Sequence, residues 1–443
     1  MPKLIWSWQA YNHQINQEMV SRISLKNKNQ KIGFLNLLLA VVGFSIPFSF
    51  AFNSIAIGVL FLYSFIGFKK NKYTFSNLKN EFGIHVLFII YFLIQFIGVF
   101  YSDDLNLGFK YIIQNSVFLI LPITFINLSD VMDYKKLKYG LYGFVIAVLI
   151  ILLSIHVNIF NKILSQHLDY NSLLFHFVRV NFVQEGFVQI HPPYFGLMVV
   201  FSLVVVLKTT FSRNTVFNGI IKFFLMGYLL LSLYGISAFI PIILVLLLLV
   251  IYLIYLIKEK KFKLLLSILL PVLLVVIIAG SIINAKSISK FPGESLLGRI
   301  EWSFIKGKGD TSRPENWKSV ISVIKDHPLI GVGTDGGLTY LQVYRSKTSE
   351  SYINKHNAHN QYLETQLRHG ILGFIVLLMI FYSLILRAKK SRDSTFCAFI
   401  FIFMIASITE SYLMRQIGLT FFIFYALLFS TFYNFGNDKK ALE

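Results

Sequence analysis

"SAFIPIILVLLLLVIYLIYLI", residues 237–257, contains no charged side chain and ends against "KEKKFK". A helix needs about 20 residues to cross a hydrocarbon core about 30 Å thick, and this stretch supplies them. Outward from it, similar apolar runs lie near 32–50, 51–68, 83–101, 111–127, 140–159, 191–207, 220–235, 264–284, 369–386, 395–413 and 416–434. Their limits are soft, most of all within 32–68 and 220–257. The 443 residues are 56% hydrophobic and 14% charged, with a mean hydropathy of +0.66, which is too apolar for a soluble protein. The pattern predicts an all-α polytopic membrane protein with about 12 transmembrane helices.

Charge orients these spans, because short cytoplasmic loops collect Lys and Arg. With the N-terminus inside, the inner segments hold 25 of the 41 basic residues, and most of the others fall in one long outer loop that this rule does not govern. The expected organisation is nine spans in 1–284 with an outer segment at 160–190, a large periplasmic loop at 285–368, and three spans plus a cytoplasmic C-terminus in 369–443. The net charge of +20 is mostly juxtamembrane, which suits anionic lipid rather than nucleic acid. The first apolar run begins near Ile32 and lacks a small-residue cleavage site, so it reads as a retained span. The single cysteine, Cys397, falls in a span and is expected to be a small buried hydrophobe.

Polar chemistry gathers in the loop 285–368. In "RPENWKSVISVIKDHPLIGVG", residues 313–333, Trp317, Val320, Ile321 and Ile324 have helical spacing, and "DHP" with "GVGTDGG" stops the helix. Gly331, Gly333 and Gly336 match the dinucleotide pattern G-x-G-x-x-G, but that pattern needs a preceding strand and a following helix. Here a helix precedes it, so tight turns returning toward the membrane explain the glycines. The loop carries 12 basic residues against 8 acidic ones, and solvated surface is the default reading for most of them. Arg345 belongs to that class, so Arg345→Lys is expected to be close to neutral. Arg299 and Arg313 differ, because each lies near a tryptophan (Trp302, Trp317) able to hold it at interface depth, where a guanidinium fork grips phosphate.

"NKHNAHNQYLETQLRHGILGF", residues 354–374, leads from a polar stretch into an apolar helix. Taken as helical, 356–367 puts His356, Asn360 and Leu363 on one face. Three readings compete: a capping, solvated helix start; a metal site; and a general base. His-x-x-His lacks the Glu of "HExxH" and has no Cys or Asp cluster beside it, so no metal is expected. A neutral imidazole can accept a proton at ambient pH. Further along, Glu410 in "SITESYLMRQ" is expected near an outer span end, paired with Arg415. His191, heading the span in "HPPYFG" with Tyr194, is either a cap-region polar group or acceptor-site lining.

"HNQYLETQLRHGILG" is a His-Asn pair, nine residues, then Gly-x-x-Gly at the head of an apolar helix. Together with "SRPENWKSVISVIKDHPLIGVGTDGG" and "TESYLMRQIGLTFFIFY", it resembles the bacterial O-antigen ligase and O-antigen polymerase superfamily. The resemblance implies an enzyme of the bacterial inner membrane that moves a glycan from undecaprenyl diphosphate to an acceptor sugar hydroxyl at the periplasmic face, inverting, with no cofactor or metal. Lipid A–core or a growing glycan would be the acceptor. By its distance to Gly370 and Gly373, the catalytic base is carried onto His359, with His356 and Asn360 as supporting candidates. The diphosphate arginine is carried onto Arg313. Ligases of this family tend to show a Ser-Arg pair near mid-chain, whereas "LLLSLYGISAFIPI", residues 229–242, has no basic residue, so a second phosphate ligand must lie elsewhere. Arg179 and Arg299 are the candidates. The alternatives are a polymerase, a protein-glycosylating member, or a transporter of lipid-linked glycans, which would more naturally carry charges along a central path and internal repeats.

Overall fold

The computed structural model describes residues 30–66, 83–132, 134–166, 190–236, 238–258 and 312–434. They form α1 (Gln30–Ser45), α2 (Phe50–Ile66), α3 (Gly83–Val99), α4 (Leu105–Asn115), α5 (Val117–Leu128), α6 (Tyr134–Gln166), α7 (Pro192–Lys208), α8 (Thr215–Ile236) and α9 (Phe239–Lys258). After 312 come α10 (Ser312–Asp326), α11 (Leu338–Tyr344), α12 (Glu350–Ile353), α13 (Gln361–Ser391), α14 (Ser394–Ala406) and α15 (Gln416–Asn434). Among the described residues there is no strand.

Among the described residues five helices are long and apolar enough to cross a membrane: Leu105–Leu128, which is α4 and α5 run together, Lys136–Lys162 within α6, α8, α9 and α13. Six more apolar helices among those residues are shorter, at 10–17 residues. The expected span 264–284, most of the outer segment 160–190, and the candidates Arg179 and Arg299 lie outside the described residues. The run read as 395–413 is a helix only to Ala406. Residues 407–415 leave the helix because their polar groups bind other elements: Ser407 O accepts from Gln361 N at 2.8 Å, and Ser411 Oγ accepts from Asn360 N at 3.2 Å.

Helices in lipid gain nothing from hiding apolar surface against one another, so close packing has to hold them. Two devices supply it. On α1 and α6, Gly43 and Ala40 face Gly140 and Gly143, where an added Cβ on either Gly43 or Gly143 would strike a backbone oxygen of the other helix. Deeper in, Phe144, Phe201, Phe399, Phe421 and Tyr425 pack ring to ring from α6, α7, α14 and α15.

At one end of the bundle converge the end of α3, the starts of α4, α7, α13 and α15, and the whole of α10 to α12. The glycine loop "GVGTDGG" docks there. Thr334 N donates to Gly98 O at 3.1 Å, Val332 N to Leu367 O at 2.9 Å, and Gly333 N to Arg368 O at 3.0 Å. The glycines at 331, 333, 336 and 337 all have positive φ. At Gly331 a Cβ would also stand 2.5 Å from the Arg368 carbonyl carbon. Gly370, at φ 59 and ψ −159, breaks α13 in a conformation open essentially to glycine alone. The turn at Pro328–Leu329 fills that break, with Pro328 O accepting from Ile371 N at 2.9 Å.

Candidate functional site

The histidine stretch is a loop. Residues 354–360 are not helical, and α13 starts at Gln361 with Asn360 as its N-cap, the side-chain oxygen accepting from Tyr362 N and Leu363 N. The expected shared helical face of His356, Asn360 and Leu363 is therefore absent, because an Asn that caps a helix stands outside it. Asn357 Oδ1 accepts from His359 N at 3.0 Å, a local turn that carries His359 to φ 46. A non-glycine residue held there is strained, and such strain clusters at functional sites.

That strain is held by bonds to the loop backbone. Arg345 is buried, 5% exposed, and its guanidinium reaches His356 O at 2.7 Å, Ser351 O at 3.2 Å and Asn316 Oδ1 at 2.6 Å. Asn316 Nδ2 then donates to Asn357 O at 2.7 Å, Trp317 Nε1 to Ala358 O at 2.9 Å, and Ala358 N to Glu364 Oε2 at 2.7 Å. Glu364 is itself fixed by Arg368 Nε at 2.6 Å, and Arg368 also donates to Thr334 O. Arg345 was expected at the surface; its internal bonds instead make it a core member of the loop. Burial pulls its pKa down to about 10, with Glu364 opposing.

His359 Nδ1 lies 3.2 Å from Glu410 Oε2, and Arg313 Nη2 lies 3.2 Å from Glu410 Oε1. Arg313 also donates to Thr409 O at 3.2 Å. Glu410 is 4% exposed, whereas the His359 and Arg313 side chains are 23% and 36% exposed. Burial pushes the Glu410 carboxyl up, but the His359 bond and charge, Arg313 and His191 together outweigh it and hold the pKa below the ordinary carboxylate value. A carboxylate on Nδ1 fixes the ring and leaves Nε2 as the nitrogen able to accept a proton. Glu410 therefore does not pair with Arg415 as expected. Arg415 instead lies over the Tyr194 ring, its guanidinium carbon 5.8 Å from the ring centre.

His191 stands at the N-cap position of α7 without a side-chain capping bond, its ring 6.1 Å from that of Tyr194. Tyr194 is buried and donates to Ser411 O at 3.0 Å, so it supports the 410–415 segment from beneath. The His356 ring meets that of His359 edge-on at 5.2 Å. Among the described residues no group of three or more His, Cys, Asp and Glu side chains converges to hold a metal. A small polar cavity lies nearby, lined by Tyr91, Gln95, Asn115, Thr334, Arg368 and His369; neither His359 nor Arg313 borders it.

The site thus joins His359 and Arg313 through a carboxylate 51 residues beyond the histidine. Residues 193–378 match the family model described as O-antigen ligase. That stretch, rather less than half of the chain, is similar to the O-antigen ligase family. The matched stretch contains His359, Arg313, Arg345 and Tyr194; His191 lies just before it and Glu410 well beyond its end. The chain is also similar to an uncharacterized protein of Haemophilus influenzae, 34% identical over 71 residues, which is 16% of this chain and 18% of that relative. The match therefore spans less than a fifth of the relative's length. Glu410 was visible in the sequence as a rare carboxylate among apolar residues, but its partners were not, since they come from α10 and from the loop before α13.

Proposed function

We propose that this chain is an O-antigen ligase-type glycosyltransferase of the bacterial inner membrane. It moves a glycan from undecaprenyl diphosphate to a sugar hydroxyl of lipid A–core at the periplasmic face. The observation that carries the reading is the shared carboxylate: Glu410 binds the ring of His359 with one oxygen and the guanidinium of Arg313 with the other. The match to the ligase family supports the same reaction class.

In this reaction the acceptor hydroxyl gives its proton to His359 Nε2 as its oxygen attacks the anomeric carbon. The bond from that carbon to the diphosphate breaks on the opposite face, so configuration inverts. The departing diphosphate keeps the electron pair, and Arg313 meets its charge. Glu410 stabilises the imidazolium that forms, as a buried carboxylate does in a Ser-His-Asp triad. No metal or nucleotide enters, because the donor carries its own leaving group. Orientation is supported by charge. The clusters Lys208–Lys222 and Arg387–Arg392 connect helices at the end of the bundle opposite His359, and basic loops stay in the cytoplasm.

The test uses the full chain in nanodiscs with a glycan on undecaprenyl diphosphate and lipid A–core as acceptor. His359→Ala should lower turnover by roughly 10²- to 10⁴-fold, the usual worth of a general base. His356→Ala should retain substantial turnover, since its backbone N–H and carbonyl, which tie it into the loop, survive the substitution. Full activity of a well-folded His359→Ala protein sinks the mechanism. Transfer to a second lipid-linked glycan, with none to lipid A–core, reassigns the chain to the polymerase reaction.

A further inference from the structure

We infer that Arg415 is a donor-binding residue, the second guanidinium to grip the polyprenyl diphosphate beside Arg313. The inference rests on the glycosyl-transfer reading above. A diphosphate offers oxygens on two phosphorus atoms, and two guanidinium forks can engage both, whereas one fork leaves half of the charge unmet. The stretch 229–242 has no basic residue to provide the second fork.

Elimination among the described arginines at this end of the bundle leaves Arg415. Arg345 is buried, and its donors are spent on Asn316, Ser351 and His356. Arg368 is buried as well, bonded to Glu364 and Thr334, with its guanidinium carbon 4.5 Å from the Tyr111 ring centre. Arg313 already faces Glu410. Arg415 is exposed, and among the described residues its guanidinium meets no carboxylate and makes no hydrogen bond. Its guanidinium lies over the face of Tyr194. An aromatic face holds a guanidinium in place while leaving its in-plane N–H donors outward, the arrangement that suits a fork awaiting an anion.

The segment that carries Arg415 also builds the site. Glu410, which pairs with both His359 and Arg313, begins it, and Arg415 ends it after the single turn Tyr412–Met414. Every residue between is tied down. Ser411 O accepts from Tyr194, Leu413 N donates to Gln361 Oε1 at 2.8 Å, Met414 O accepts from Gln114 at 3.0 Å, and the Tyr412 ring packs at a tilt against that of Tyr194, centres 4.7 Å apart. Arg415 is therefore an exposed cation on a rigid wall whose other end holds the proposed base. A solvated or headgroup-facing arginine would need no such mounting.

The experiment measures equilibrium binding of undecaprenyl diphosphate and undecaprenyl monophosphate to the full chain in nanodiscs, by displacement of a fluorescent polyprenyl diphosphate. Wild type should prefer the diphosphate. Arg415→Gln should weaken diphosphate binding about tenfold, which corresponds to about 1.4 kcal/mol, and remove most of the preference over monophosphate. Arg415→Lys should fall between, because it keeps the charge and loses the fork. Lys325→Gln, which removes an exposed charge elsewhere on the loop, should bind as wild type does. Thermal unfolding of Arg415→Lys guards against collapse of the wall: lost binding with an unchanged melting point supports the assignment. Equal binding by wild type and Arg415→Gln overturns Arg415 alone. Failure of wild type to bind the diphosphate at all overturns the glycan-transfer reading beneath it.

Discussion

Glu410 divides its two oxygens between two groups with opposite tasks in the proposed reaction, the His359 ring as base and the Arg313 guanidinium as phosphate ligand. In the proposed reaction, a diphosphate that draws Arg313 away would leave the carboxylate's charge more fully on His359 and so strengthen the base. Glu410→Gln keeps the shape and one hydrogen bond but removes that charge. Turnover should then fall within the roughly 10²- to 10⁴-fold range of the base itself, with donor affinity retained because Arg313 stays in place. Stability gives a second check. The folded pKa of Glu410 is lowered, so its contribution is complete above the ordinary carboxylate value and is lost as pH falls through the lowered one. The melting difference between wild type and Glu410→Gln should thus be present at neutral pH and close in acid. A difference that widens in acid would mean that the carboxyl is protonated in the folded protein.

At the scale of the element, the loop 354–360 is a strained turn held by neighbours rather than by its own hydrogen bonds. The carbonyls of 356, 357 and 358 are each claimed by a side chain, from Arg345, Asn316 and Trp317 respectively. Lysine at 345 would place one point charge where a fork now meets several acceptors, and each buried acceptor left unmet costs about 1–3 kcal/mol. Arg345→Lys should therefore lower the melting temperature and the turnover together, while donor binding, which needs Arg313, changes little. A neutral outcome in both assays would return Arg345 to the surface class its sequence suggested. The spacing alone could not distinguish these, since Arg345 lies in a polar stretch with Lys347 and Lys355, and only packing against α10 buries one of the three.

Across the whole molecule, all the proposed chemistry sits at one end of the helix bundle and the basic connections sit at the other. This arrangement predicts that reporter fusions at Arg213 and Lys390 read cytoplasmic, and that fusions at Lys325 and Ser349 read periplasmic. A cytoplasmic signal at Ser349 would place the site on the wrong side for the proposed donor and acceptor. The glycine loop and the break at Gly370 lock α10 to α12 onto α3 and α13 through backbone bonds, which fixes the loop region to its membrane floor.

The sequence by itself determined what depends on local composition and period. Apolar runs of span length made the protein helical and membrane-bound, the distribution of Lys and Arg set the expected orientation, and Asn360 capped α13 through its own side chain. It also singled out His359 and Arg313 by their resemblance to a family pattern. Tertiary structure alone decided what depends on groups distant in the chain. It brought Glu410 to His359 and Arg313 rather than to Arg415 five residues away, because residues 407–415 turn out of the helix to satisfy Gln361, Asn360 and Tyr194. It buried Arg345 and left Arg415 exposed, a reversal that no charge count can reveal, since burial depends on which elements pack overhead and not on the residue's neighbours in sequence.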